Sequence, residues 1–362
     1  MDTRTLFAPG KLFVFGEWSV LEGAPAMLVE APAGQRGVLR LQAPSADAPV
    51  LHYRAPALFD APLMWRWDGE RWCADGANPH EELGLLTATL DEANRVLGPP
   101  QHSLDLEVTP EGLFATHKGS QPKKLGFGSS GSICALLARA LACASQTADE
   151  GLDLERVFRV AFKGHRRAQG GRGSGADVAV SVYGGLVAYR LDPPPGLKGQ
   201  GGMVEPEASV AALARRDDVQ LTAVWTGQEA DTRVLMSAVQ RFEQRNPSAY
   251  GIAIRAVGDA ASAGCAAWRS GRVSDVLEAV RVASDSLEAL GKAAGVELMV
   301  PEHRAIATVV HDAVGDAAAT KLSGAGGGDM ALVVSSDGEI AERTHSALMK
   351  MGWMVLPLLP NP

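Results

Sequence analysis

The chain has 362 residues, of which 46% are apolar, 21% charged and 6% aromatic, with 40 glycines and 21 prolines. This composition excludes collagen-like, coiled-coil and intrinsically disordered chains, and the length predicts two domains. With 34 basic and 42 acidic residues the net charge is −8, which argues against nucleic-acid binding. The four cysteines (Cys73, Cys134, Cys143 and Cys265) are scattered, with no C-x-x-C pairing. They read as small core residues of a reducing compartment rather than a disulfide frame or a zinc site. No run of about 20 apolar residues predicts a spanning helix, so no membrane partner is expected. The opening MDTRTLFAPGK lacks an apolar signal core. A cytoplasmic enzyme or binding protein is therefore expected.

In chain order, the apolar run 12–15 lies between Gly10 and Gly16 and predicts a buried strand with a turn at each end. A glycine loop, Lys123-Lys124-Leu125-Gly126-Phe127-Gly128-Ser129-Ser130-Gly131, comes next. It leads into a helix, because Ile133, Leu136, Leu137, Ala140, Leu141 and Ala144 repeat at helical spacing. A second helix carries Leu154, Val157, Phe158, Ala161, Phe162 and His165 on one stripe, and residues 169–175 close it. Asp177, the apolar run 178–182 and a strand at 186–189 follow. Residues 193–206, PPPGLKGQGGMVEP, read as a linker or long hairpin. A strand at 221–225, three helices within 232–294, a glycine cluster at 323–329 and a strand at 330–334 come next. A charged helix and an apolar strand at 353–359 end the sequence. Strands and helices alternate irregularly, which predicts α+β layers rather than repeated βαβ units.

Glycines at 126, 128 and 131 let several backbone N–H groups point into one concavity, and the helix that follows adds its positive end. Such a loop binds phosphate oxygens, and Ser129 and Ser130 supply hydroxyls suited to phosphate or to magnesium. The loop formally matches G-x-G-x-x-G, with Asp149 where a ribose-binding acid would sit. The stretch upstream is polar and interrupted by Pro122, whereas a dinucleotide fold needs a hydrophobic strand there. No G-x-x-x-x-G-K-[ST], H-R-D or D-F-G occurs, which excludes P-loop proteins and protein kinases. Asp177 suits either a carboxylate acting on a substrate hydroxyl or a helix cap. His165 suits a core histidine or a pocket edge, and Trp18, Trp65, Trp67 and Trp72 read as core or pocket wall. Lys123, Lys124, His165, Arg166, Arg167 and Arg172 place cations near the glycine loops, which suggests an anionic substrate or a solvated basic face.

Taken in order, these segments resemble the galactokinase–homoserine kinase–mevalonate kinase–phosphomevalonate kinase (GHMP) superfamily. Ala8-Pro9-Gly10-Lys11-Leu12-Phe13-Val14-Phe15-Gly16-Glu17 is similar to its first motif, and Leu125-Gly126-Phe127-Gly128-Ser129-Ser130-Gly131 to its second. Lys321-Leu322-Ser323-Gly324-Ala325-Gly326-Gly327-Gly328-Asp329 is similar to its third. His165-Arg166-Arg167-Ala168-Gln169-Gly170, Gly173-Ser174-Gly175-Ala176-Asp177-Val178-Ala179 and Val224-Trp225-Thr226-Gly227 resemble the phosphomevalonate kinase branch. Mevalonate kinases place a magnesium-binding glutamate at about the position of His165, and Trp18 replaces the usual Tyr or His.

The resemblance implies an α+β GHMP kinase fold, with an N-terminal domain like ribosomal protein S5 domain 2 over residues 1–200. A ferredoxin-like C-terminal domain over 201–362 is implied as well, with ATP and substrate meeting between the two. It implies magnesium-dependent phosphorylation of 5-phosphomevalonate by ATP, in a monomer or homodimer. Lys11 and Asp177 would be catalytic. Gly126, Gly128, Ser129, Ser130, Gly131, Ser132, Gly326 and Gly327 would bind ATP phosphates, with Ser130 on magnesium. Lys124, His165, Arg172, Ser174, Gly175 and Ser323 would serve the substrate. An alcohol acceptor, as in mevalonate kinase, or a non-catalytic nucleotide- or sugar-binding regulator on the same fold are the alternatives.

Overall fold

The computed structural model describes residues 2–43, 48–74, 83–115, 121–145, 151–171, 173–192 and 207–358. The expected linker at 193–206 and the candidate Arg172 lie outside the described residues. The chain forms β1 (Asp2–Phe15), β2 (Ala26–Gln42), β3 (Val50–Arg54), β4 (Leu63–Trp67), β5 (Trp72–Ala74) and α1 (Leu83–Val96). Then come β6 (Ser103–Glu111), β7 (Phe114–Ala115), β8 (Lys123–Lys124), α2 (Ser129–Ser145), α3 (Leu154–Ala168), α4 (Ala176–Tyr183), β9 (Leu186–Asp192) and β10 (Glu207–Ala212). The remainder is β11 (Gln220–Trp225), α5 (Thr232–Arg245), α6 (Pro247–Ser270), α7 (Val273–Ala294), α8 (Pro301–Val314), β12 (Ala318–Ser323), β13 (Met330–Ser335), α9 (Gly338–Lys350) and β14 (Met354–Leu358).

Two compact units share these elements. One comprises Met1–Lys11, Ala33–Leu113 and Phe127–Gly184, the other Leu12–Pro32, Phe114–Gly126 and Gly185–Pro362. The units interleave along the sequence, unlike the single division at residue 200 drawn from the resemblance.

In the first unit β6 pairs antiparallel with β2 and parallel with β3, and β4 and β5 extend the ladder. Trp65, Trp67 and Trp72 are buried, with Trp67 and Trp72 edge to face at 5.7 Å. Helix α2 is buried on all sides; its run of alanines lets α1, α3 and α4 pack around it. The α1–α3 contact is closer still, because a Cβ at Gly164 would come within 2.6 Å of the Thr89 backbone. Strand β1 begins ten residues before the apolar run that announced it, because its first residues are exposed and carry no hydrophobic signal.

In the second unit β9 joins β10 and the first residues of β2. A separate antiparallel sheet has the order β12-β13-β11-β14. A first strand followed by helices, a hairpin, one helix and a last strand at the edge is the ferredoxin-like β-α-β-β-α-β arrangement, here with α5 to α8 in the first crossover. Strand β13 is buried throughout, as expected for a central strand covered by helices. The three helices expected within 232–294 are α5, α6 and α7.

His303, on the first turn of α8, is buried, and its Nδ1 accepts the Val300 N–H at 3.2 Å. Burial pulls its pKa down from 6.5 to about 4, against the opposing pull of the Met330 carbonyl. Above pH 6.5 both folded and unfolded chains hold this ring neutral; below it only the unfolded chain takes the proton readily. Stability is therefore expected to fall as pH drops from 6.5 toward 4, by up to about 3 kcal/mol. Urea unfolding at pH 7 and pH 4.5 checks this, with a smaller pH-dependent loss expected for H303Q.

Candidate active site

In the first unit the glycine loop delivers the chain into the N-terminus of α2. Gly128 has φ +77°, a conformation natural to glycine. A Cβ at that position would lie 3.4 Å from both Lys11 Cε and Asp177 Cβ, so this bare backbone lets the lysine and the carboxylate approach the same point. The Lys11 N–H donates to the Phe127 carbonyl at 2.8 Å, stitching β1 to the loop. Gly131, in the first turn of α2, is equally constrained: a Cβ there would stand 2.8 Å from Asp177 Oδ2.

Asp177 lies in the first turn of α4, and its side chain is 17% exposed. It is not the helix cap. Gly175, at φ +72°, occupies that position, and Ser174 Oγ accepts the Ala176 N–H at 3.3 Å. Asp177 Oδ1 accepts the Val178 N–H at 3.0 Å. The N-termini of α2 and α4 thus both meet at this carboxylate. Cys134 feels the same charge. Burial, and then Asp177, push its thiol up to about 12, against a hydrogen bond from Thr89 at 3.4 Å.

The C-terminal turn of α3 brings in His165, only 2% exposed. Its Nε2 stands 3.0 Å from Ser130 Oγ, 3.0 Å from the Gln169 side-chain amide nitrogen and 3.6 Å from Asp177 Oδ2. The ring therefore lies behind Ser130 rather than facing solvent. Gln169 had a place in the motif but no role assigned to it; its spacing of four from His165 on one helix was the available signal. Ser132 is turned inward: its hydroxyl donates to the Ser129 carbonyl at 3.0 Å and its N–H to the Gly128 carbonyl at 3.4 Å. Ser129 and Ser130 are left as the hydroxyls of the loop.

The remaining candidates belong to the second unit. Lys124 is exposed, with its backbone N–H donating to Glu229 Oε1. The neighbouring Lys123 Nζ donates to the Gly227 carbonyl at 3.1 Å. Gly126 (φ +76°) abuts Asp329, whose carboxyl fills the place of a Cβ. Ser323 accepts the Phe13 N–H at 2.8 Å and donates to the Phe13 carbonyl at 3.0 Å, so its hydroxyl is fully engaged in tying β12 to β1. Gly326, at φ +83°, packs on the Leu298 backbone, and the Gly327 N–H donates to the Leu298 carbonyl at 2.8 Å. These glycines are required by the turn itself. Motif reading also missed the pairing of Glu17 with Lys321, both of which are buried. The four cysteines are free. Among the described residues no three His, Cys, Asp or Glu side chains gather as a metal cluster, and no helix is long and apolar enough to cross a membrane.

Residues 88–185 match the GHMP kinases N terminal domain family. Over 383 aligned residues the chain is 28% identical to a phosphomevalonate kinase of Streptomyces sp. (strain CL190), covering 98% of this chain and 95% of that protein. The Lin0012 protein from Listeria innocua has a similar structure, with TM-score 0.81, 22% identity, and coverage of 99% of this chain and 97% of that one. Streptococcus pneumoniae phosphomevalonate kinase, in complex with phosphomevalonate and AMPPNP, aligns at TM-score 0.70 and 20% identity. That alignment covers 99% of this chain and 100% of the other.

Proposed function

We infer that this chain, a GHMP-fold phosphotransferase homologous to phosphomevalonate kinase, transfers the γ-phosphoryl group of ATP to the phosphate of 5-phosphomevalonate. The products are 5-diphosphomevalonate and ADP, a step of the mevalonate route to isoprenoids, and four free cysteines suit a cytoplasmic setting. The observation that carries this reading is the approach of Lys11 and Asp177 to Gly128, at the mouth of the α2 loop.

A phosphate oxygen of the acceptor attacks the γ-phosphorus, and the bond from that phosphorus to the β,γ-bridging oxygen breaks. The attacking oxygen is already anionic, so proton removal is less necessary than with an alcohol. Lys11 would neutralise charge that develops between donor and acceptor. Asp177 would hold the lysine and the acceptor phosphate in line. Gly126, Gly128, Ser129, Ser130 and Gly131 would cradle the phosphates at the positive end of α2.

The donor set fits magnesium carried by ATP. This ion takes hard oxygens, keeps several waters, and is commonly bound by one or two protein oxygens plus substrate phosphates. The Ser130 hydroxyl, beside the Asp177 carboxylate, offers such oxygens without an all-protein cage. When bound, magnesium supplies charge neutralisation at the β- and γ-phosphates.

A coupled ADP-release assay with magnesium-ATP, offering mevalonate and 5-phosphomevalonate side by side, tests the reading. Turnover with 5-phosphomevalonate alone supports it; turnover with mevalonate alone overturns it. D177N is expected to slow turnover by about 10²-fold or more while ATP affinity changes little. Loss of nucleotide affinity at unchanged kcat would instead assign Asp177 a structural role.

A further inference from the structure

We propose that His165 is a positioning residue, whose Nε2 fixes the direction of the Ser130 hydroxyl and backs the Asp177 carboxylate. The proposal rests on the reading of Ser130 and Asp177 given above and adds the group that sets them. With 2% of its surface exposed, the ring is too deep to touch a ligand, so it acts through its neighbours.

The two ring nitrogens are unequal. Nδ1 is buried without a hydrogen-bond partner among the described residues, which carries a desolvation cost. Nε2, by contrast, faces three polar groups: the Ser130 hydroxyl and Gln169 amide at 3.0 Å, and Asp177 Oδ2 at 3.6 Å. A side chain present only to fill space would be apolar here. An imidazole that tolerates one bare nitrogen is explained by what the other one holds.

The arrangement has a second tier. Gln169 lies four residues from His165, at the end of α3, and its side-chain oxygen packs against Gly173, where any side chain would collide with it. Gln169 is thereby held against the ring, and the ring against Ser130. The hydroxyl and Nε2 share one hydrogen along their line, which leaves the remaining valences of Ser130 Oγ directed away from the core. That orientation suits a phosphate oxygen or the cation that accompanies it. Three helix ends, from α2, α3 and α4, are registered through this single ring.

Two conservative variants separate this role from plain packing. The terminal group of glutamine reaches the place of Nε2, whereas that of asparagine reaches only the place of Nδ1. In the full-length protein, magnesium-AMPPNP affinity is measured by calorimetry. kcat and KM are measured with magnesium-ATP and 5-phosphomevalonate, and melting temperature serves as the structural control. H165N and H165A are expected to lose about 10- to 100-fold in kcat and about 10-fold in AMPPNP affinity, as for other residues that orient a ligand-binding group. H165Q is expected to recover most of both while melting no higher than H165N. Equal kcat and AMPPNP affinity for H165Q and H165N overturn the proposal, as does unimpaired H165A. If H165A does not fold, the H165Q–H165N pair decides. If the unmodified chain binds magnesium-AMPPNP but does not turn over 5-phosphomevalonate, the acceptor assignment fails. The AMPPNP comparison still decides the role of His165.

Discussion

K11A is expected to lower kcat by about 10²-fold or more, with the chain still folded, which corresponds to about 3 kcal/mol of lost transition-state stabilisation. Lys11 lies on β1, and its backbone N–H is bound to Phe127 at the start of the loop. The strand therefore keeps its place when the side chain is cut back. The lost amine is the group whose Cε stands 3.4 Å from where a Gly128 side chain would begin, beside Asp177. A phosphate acting on a phosphate builds negative charge on both sides of the transferred group, so a missing cation acts on the chemical step more than on binding. K11R tests the geometry: it keeps the charge but widens the head group, and recovery should be partial. Near-normal kcat for folded K11A would remove Lys11 from the mechanism.

K321M is expected to destabilise the protein by about 3–5 kcal/mol, because it strands Glu17 without a partner in the core. Lys321 and Glu17 have side-chain exposures of 0% and 1%, and Nζ also donates to the Leu322 carbonyl at 2.7 Å. A buried charge that loses its counter-ion has neither water nor a mate, which costs more than the pair itself contributes. Replacing both partners, as in E17L/K321M, should recover most of the loss. Urea unfolding of the two single variants and the double variant closes the cycle. Equal stability of K321M and the unmodified chain would mean that water reaches the pair. Trp18 belongs to the same interlock: its backbone adopts φ +59°, and its Nε1 donates to the Ala325 carbonyl at 3.2 Å. Its ring packs among core residues of the second unit, including Leu235, Val257 and Leu287, which accounts for an aromatic side chain held in a strained turn.

Much of the fold was legible because the relevant signals are local. The stripe from Leu154 to His165 specified α3, and the small apolar residues after Gly131 specified α2. Residues 33–113 gave no such signal. Strands β3 to β5 are short and alternate weakly, and they become strands by pairing with β6 and with one another. The apolar run 178–182 was equally uninformative. A fully buried segment of that length has no polar face to reveal its period, and it is helix α4.

The candidate site divides along the same line. The glycines at 126, 128 and 131, the lysine after Pro9-Gly10 and the aspartate after Gly173-Ser174-Gly175 were readable from the chain alone, since each depends on a backbone conformation or a charge that a short motif encodes. What those groups touch is set by three-dimensional packing. Ser132 and Ser323 carry the same hydroxyl as Ser130, yet their bonds are closed by the Ser129 carbonyl and by the Phe13 backbone. Ser130 instead meets His165, 35 residues away in sequence. Glu17 and Lys321 are 304 residues apart and became partners only when β1 and β12 were brought together. Hydrogen bonding and ion pairing act over about 3 Å, a distance that motif spacing does not measure and that packing alone sets.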